Sequence, residues 1–197
     1  NTANGYLALR YNTTGASNVA VGAFALDANT TASNNTAVGE SALSANTTGE
    51  LNVAIGTSAL STDQKGNRST AIGYQALKSQ LFTGSTTAHN TAVGYQAGLA
   101  LTTGTKNTLI GAVCGDEMTT GDYNTFVGYA ALQAVVTGAS NTGMGTAAGF
   151  NLTSGSNNLL LGHDAGRTGS PGGVITTHDN QINLGDENIS EANIQVD

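Results

Sequence analysis

The sequence predicts an all-β fold, a parallel β-solenoid of about 11 coils on a 17-residue repeat. Three observations predict it. First, a five-residue phrase, Asn-Thr-Ala-Val-Gly, stands in full at 35–39 and 90–94. It recurs loosened at 18–22, 52–56, 107–111, 124–128, 141–145 and 158–162, with weaker copies at 1–5, 69–73 and 181–185. Second, the closing glycines fall at 5, 22, 39, 56, 73, 94, 111, 128, 145, 162 and 185, so eight of ten spacings are 17 residues and the others are 21 and 23. A fixed period of this length marks a repeat architecture, in which each unit buries its apolar surface against its neighbours. Third, a glycine inside every repeat costs a helix roughly 1 kcal/mol each, and no 3.6-residue period is sustained.

Each part of the repeat can be justified in turn, counting the Asn as offset zero. Offset three is aliphatic in nearly every copy (Val21, Val38, Ile55, Ile72, Val93, Ile110, Val127, Met144, Leu161, Leu184), with Asn4 the exception. Offset one is Thr or aliphatic throughout, and offset two is mostly Ala. In a strand, residues one and three share a face and residue two points the other way. The phrase therefore reads as a short strand with an aliphatic face and a small-residue face, ended by a glycine at positive φ. Offsets seven and eight, mostly Ala and Leu, read as a second inward segment. In four repeats Gly98, Gly115, Gly149 and Gly166 replace the Leu. Turn chemistry follows in Asn12–Gly15, Asn46–Gly49, Thr102–Gly104 and Thr119–Gly121.

Coils stack at about 4.8 Å, so eleven would make a rod of about 50 Å. Stacking places Asn18, Asn35, Asn52, Asn90, Asn107, Asn124, Asn141 and Asn158 in one column, read as a structural amide ladder. The alternative for that column is a row of ligand-binding amides.

Charge narrows the function classes. Only 10% of the 197 residues are charged and the net charge is −7, against the basic face that nucleic-acid binding needs. No run of 18 apolar residues exists to span a membrane as a helix. The single cysteine, Cys114, can form no disulfide within the chain. None of the charged residues falls at offsets zero to four, 55 positions where a 10% share predicts about five or six. Both strand faces are therefore expected to be covered, the alanine face (Ala20, Ala37, Ala54, Ala71, Ala92) by another chain. The residues thus point to an oligomer, for which a homotrimer of coils around a common axis is the most natural arrangement, although they support an oligomer better than the number three.

Asn35–Gly39 and Asn52–Gly56 resemble the head repeats of trimeric autotransporter adhesins, which also occur in phage tail fibres. The resemblance covers residues 1–185 and implies a left-handed parallel β-roll with three chains side by side. The adhesin repeat is usually shorter than the one here. Residues 180–185 and 189–196 resemble the segment that leads into the self-cleaving intramolecular chaperone of phage fibres and tailspikes. Residues 186–197 are thus expected to lead to a chaperone domain that is absent, and the start inside a repeat at Asn1 reads as a fragment or processed product. The resemblance implies a tail-fibre segment of the virion, attaching to a host cell-surface receptor or glycan; sugar-cleaving tailspikes exist, but no carboxylate pair is marked for that work here, so a non-enzymatic role is expected. The alternatives are a bacterial adhesin head on the outer surface and an ice-binding solenoid. The last is suggested by Thr13, Thr30, Thr47, Thr102, Thr119 and Thr153 at one offset, a column that Gln64 and Val136 break.

The two longer repeats carry extra residues near 81–89 and 166–178. Insertions in solenoids leave the coil as surface loops, often on the binding face. Leu81, Phe82, His89, Arg167 and His178 are accordingly the expected receptor contacts, with passive loop growth as the alternative. Chemistry is otherwise thin. His163–Asp164 lacks a third partner at metal or catalytic spacing, and Asp116–Glu117 and Asp186–Glu187 read as wet turns. No cofactor, metal or catalytic residue is expected.

Overall fold

A computed structural model of the chain describes residues 1–170, 173–186 and 188–189. Every assigned element among them is a strand. Eleven three-residue strands, from Thr2–Asn4 to Ile182–Leu184, form one parallel sheet in sequence order, and each pairs with the next. Register follows the repeat: Val19 pairs Thr36, Ala20 pairs Ala37 and Val21 pairs Val38. Eleven strands bound ten windings. Nine are described in full and the tenth runs through residues 171–172, so there are somewhat fewer turns than the about 11 expected. A two-stranded sheet, Gly66–Asn67 with Thr86–Thr87, stands beside the main one at the 21-residue winding.

The glycine that closes each phrase is required twice over. Gly39 has φ 132°, and a Cβ there would lie 2.6 Å from the carbonyl carbon of Gly56 on the next rung. Only a bare backbone turns this corner and lets the rungs stack. Three other corners per winding also take positive φ, mostly on residues other than glycine, as at Asn34 (64°), Ser41 (56°) and Leu43 (50°). Left-handed backbone costs roughly 1–2 kcal/mol per ordinary residue. Each of these corners is held by a bond to a neighbouring rung: Asn34 N donates to Ala16 O at 3.0 Å, Ser41 N to Ala23 O at 2.8 Å and Leu43 N to Ala59 O at 3.0 Å.

The strand faces are assigned the other way round from the sequence expectation. The alanine face points into the chain's own winding: Ala20, Ala37, Ala54, Ala71 and Ala92 are fully buried there, as are Leu109 and Phe126. It is not the surface that meets another chain. The winding is too thin for two large inward faces, so the inward strand residue is small where the facing Leu is large. Offsets one and three point outward, half-buried or exposed, as Ile55 and Ile110 show.

Core packing follows a reciprocal volume rule between rungs. Leu26, Leu43, Leu60 and Leu77 at offset eight lie one rung before Ala37, Ala54, Ala71 and Ala92 at offset two. Where offset two grows to Leu109, Phe126 or Leu160, the preceding offset eight is Gly98, Gly115 or Gly149. A Cβ at Gly98 would lie 2.7 Å from Leu109 Cδ1, and one at Gly115 would lie 3.0 Å from Phe126 Cδ2. Leu132 closes the pattern against Gly143.

Gly98→Leu alone should overpack and cost about 1–3 kcal/mol, and Leu109→Ala alone should leave a cavity costing about 2–5 kcal/mol. Combined, they copy the Leu77–Ala92 arrangement and should recover most of both losses. Urea midpoints of the four chains test this, and simple additivity of the two losses would show that the residues do not share one space.

Candidate functional site

The eight asparagines of the repeat form a buried column, none more than 2% exposed. Asn35 Nδ2 donates to Gly49 O at 2.8 Å across its own winding. Its Oδ1 accepts from Asn52 N on the next rung at 2.9 Å. The same pair of bonds recurs at Asn18, Asn107, Asn124 and Asn141. Direct amide-to-amide bonds join only the later members, such as Asn124 to Asn107 at 3.1 Å and Asn158 to Asn141 at 3.0 Å. Every amide in the column is buried, and its nitrogen and oxygen each have a partner within the chain, as a structural ladder requires.

A second buried column at offset eleven was not singled out from the sequence. It begins as Asn12, Asn29 and Asn46, passes through Asp63 and Gln80, and continues as Leu101, Met118, Val135 and Leu152. In the longest winding, Ile175 is likewise buried, beside Gly166. The signal was the 17-residue spacing itself, hidden because the column changes from polar to apolar partway. The change happens at the 21-residue winding. There Ser69 stands where the first column has Asn, and Gln80 reaches across. Its Nε2 donates to Asp63 Oδ2 at 2.6 Å and to Ser69 Oγ at 3.0 Å, and its Oε1 accepts from Asn90 Nδ2 at 2.9 Å. Asp63 Oδ1 accepts from Gly66 N and Phe82 N. Asn46 Oδ1, one rung earlier, is buried without a partner, because Asp63 brings no side-chain N–H to that position.

The expected contact residues divide. Phe82 is buried, packed toward Gly66, and is unavailable to a receptor, a correction to its expected role. The insertion folds back as a strand pair, and that drives the ring inward. Leu81 and His89 are exposed, and Leu81 N donates to Thr102 O on the adjoining rung. Arg167 is tied down locally, 2.6 Å from Asp164 and 4.9 Å from the Phe150 ring centroid. His178 is exposed, and its carbonyl accepts from Asn158 Nδ2. The two insertions are not brought together. Pro171 and Gly172 of the second lie outside the described residues, as does most of the 186–197 segment.

The remaining polar chemistry is structural or solvated. His163 Nδ1 lies 3.1 Å from Asp186 and 3.7 Å from Asp164, so the fold supplies a neighbour that its sequence position did not reveal. Asp186 is half-buried, and its carboxyl is held below the usual range by bonds from Asn188 N and then from His163. Among the described residues no group of three His, Cys, Asp or Glu is placed to hold a metal ion. Burial pushes the Cys114 thiol up to about 12, so it is an inert core group. The recurring threonines spend their hydroxyl protons within the fold: Thr30 donates to Thr47 O at 3.1 Å and Thr102 to Thr119 O at 2.9 Å. No helix among the described residues is long and apolar enough to cross a membrane. Tyr74 and Tyr95 stack on each other at the surface, centroids 5.5 Å apart.

No family model, no curated protein and no solved structure matches this chain.

Burial raises the carboxyl of Asp63 above its ordinary value of 3.8, against the opposing bonds from Gln80, Phe82 and Gly66. A carboxyl raised in the folded state contributes its stability fully below the unfolded pKa and loses it as pH rises through the folded pKa. Stability should therefore decline from about pH 4 upward by an Asp63-dependent amount, and Asp63→Asn should abolish that component. Urea midpoints of both chains between about pH 3 and pH 8 check this, and parallel profiles would refute it.

Proposed function

We propose that this chain is a segment of a phage tail fibre, a homotrimeric structural and adhesive rod for host-surface attachment. One observation carries the reading. The outward strand face, offsets one and three on all eleven rungs, bears no charged residue yet is half-buried or exposed in the single chain. Ile55, Ile110, Met144, Ile182 and Leu184 are among its exposed large side chains. Offset three makes a nearly continuous aliphatic stripe along the rod, bordered by threonines and aliphatics at offset one, and such a stripe is a surface that a soluble protein covers. Parallel copies in the same register cover it continuously, rung against rung, and three around one axis leave no stripe open. The resemblance of residues 1–185 to trimeric adhesin and tail-fibre repeats agrees with that number. The insertions then stand on the outside of the rod, where a receptor or surface glycan is within reach. The hydroxyl protons of the threonine column are committed to rung carbonyls and Gln64 and Val136 interrupt it, which supports the fibre reading over the ice-binding alternative.

The mass in solution should be three times the 19.7 kDa chain, about 59 kDa. Ile55→Asp with Val93→Asp places two charges on the stripe without touching the buried column and should return the one-chain mass, with β circular dichroism retained. Light scattering reads both, and a wild-type mass of one chain would sink the trimer.

A further inference from the structure

The charges of this chain are unevenly placed along its axis. No acidic residue lies between Asp63 and Asp116, an interval that holds Lys65, Arg68, Lys78 and Lys106. With histidine neutral, that interval carries +4 and the rest of the chain −11, which together make the −7 of the whole. The positive belt coincides with the 21-residue winding and the rungs on either side of it.

The fold lines up part of this belt. Arg68, His89 and Lys106 hold the same register position on three successive rungs, just before the Asn column, with φ of 60°, 51° and 59°. All three are exposed. Neighbouring rungs are about 4.8 Å apart, so Arg68 and Lys106 stand on one line with His89 between them. Among the described residues no carboxylate lies within 4.0 Å of Arg68 or Lys106. Lys106 Nζ rests instead on Tyr123, 2.8 Å from its hydroxyl and 4.6 Å from the ring centroid. Beside Arg68 the Gly66–Asn67 and Thr86–Thr87 pair raises one wall of a groove of about 240 Å³. Its lining includes Thr48, Asn67, Ser85 and Thr87, a set of hydroxyls and an amide, with Glu50, Leu51 and Arg68 itself completing it.

We propose that this face binds an acidic polysaccharide. Sugar carboxylates lie along the Arg68–His89–Lys106 line, and neighbouring sugar hydroxyls enter the groove, where Thr48, Asn67, Ser85, Thr87 and the Glu50 carboxylate exchange hydrogen bonds with them. Unpaired cations in line favour a ligand with spaced negative charges, and a hydroxyl-lined groove favours one that is otherwise polyhydroxylated. The belt is short, with Asp27 and Glu40 before it and Asp116, Glu117 and Asp122 after it. Those flanks repel a polymer as densely charged as a nucleic acid, which needs an extended basic track. The inference deepens the attachment reading, rests on it for the source of the glycan, and supplies a ligand class for the first insertion.

Polygalacturonate and neutral dextran are the probes, with binding to the full chain measured by calorimetry at low and high salt. The wild type should bind polygalacturonate, more weakly as salt rises, and should not bind dextran. Arg68→Asn with Lys106→Asn should weaken binding by about tenfold or more. Asn is chosen because Asn34 and Asn157 already hold this register position with φ of 64° and 58°, so the winding is kept. Lys78→Ser, on a different face of the winding, should leave binding unchanged. The proposal is overturned if the wild type binds no polygalacturonate, if Lys78→Ser loses as much as the paired variant, or if polyuridylate binds more tightly than polygalacturonate. A one-chain mass with binding intact removes the trimer alone, and a three-chain mass without binding removes this inference alone.

Discussion

The solenoid depends on the double engagement of one buried asparagine per winding. Its amide nitrogen closes its own winding by reaching the carbonyl fourteen residues on, and its oxygen receives the N–H that opens the next rung. The first bond sets the circumference and the second sets the register. Aspartate has the acceptor without the donor, and leucine has neither. With this bridge in place, the backbone polar groups of a three-residue strand and its corners are satisfied between rungs, and left-handed corners become tolerable on side chains as varied as Ser, Leu and Gln. The glycine four residues later is the complementary constraint, since the corner it makes has no room for a Cβ beneath the next rung.

Much of this was legible in the sequence, for a physical reason. A repeat stacked in register needs the same side chain at the same place on every rung, so period, strand, glycine corner and asparagine column are printed repeatedly. What could not be read was which strand face lies inside. Alternation separates two faces and does not say which is core. The habit that larger aliphatics go inward fails because this winding is narrow: Ala37 fits opposite Leu26, and a Val there would not. The compensating exchange of Leu for Gly at offset eight was visible as Gly98, Gly115 and Gly149. Its cause, the growth of Leu109, Phe126 and Leu160 one rung later, needed the stacking geometry.

The candidate contact sites were less legible for a different reason. Insertions break the period, and beyond the break each residue answers to local packing. Phe82 illustrates the point: an aromatic in a predicted surface loop was a natural contact residue, yet the Thr86–Thr87 pairing folds the loop back and the ring is driven inward over Gly66. Arg167 is likewise occupied by Asp164 and Phe150. His89 keeps its exposure because its register position, just before the asparagine column, faces outward in every winding, as it does for Arg68 and Lys106.

The irregular winding also shows how a solenoid accommodates an interruption without losing register. Ser69 removes the bridging amide at the rung where the chain lengthens by four residues, from 17 to 21. Gln80, from the second buried column, delivers an amide into the vacated space and bonds Asp63, Ser69 and Asn90 together. The first column therefore continues electrostatically although its own residue is missing. The second column ends its polar run at this point, and every later member is apolar, with the burial of its side chain replacing the ladder. The cost is concentrated in Asp63, whose carboxylate serves Gln80 and two backbone N–H groups while leaving Asn46 Oδ1 unsatisfied. A buried acceptor without a donor costs on the order of 1–3 kcal/mol. That loss falls on the two rungs just before the 21-residue winding, next to the place where the regular period is interrupted.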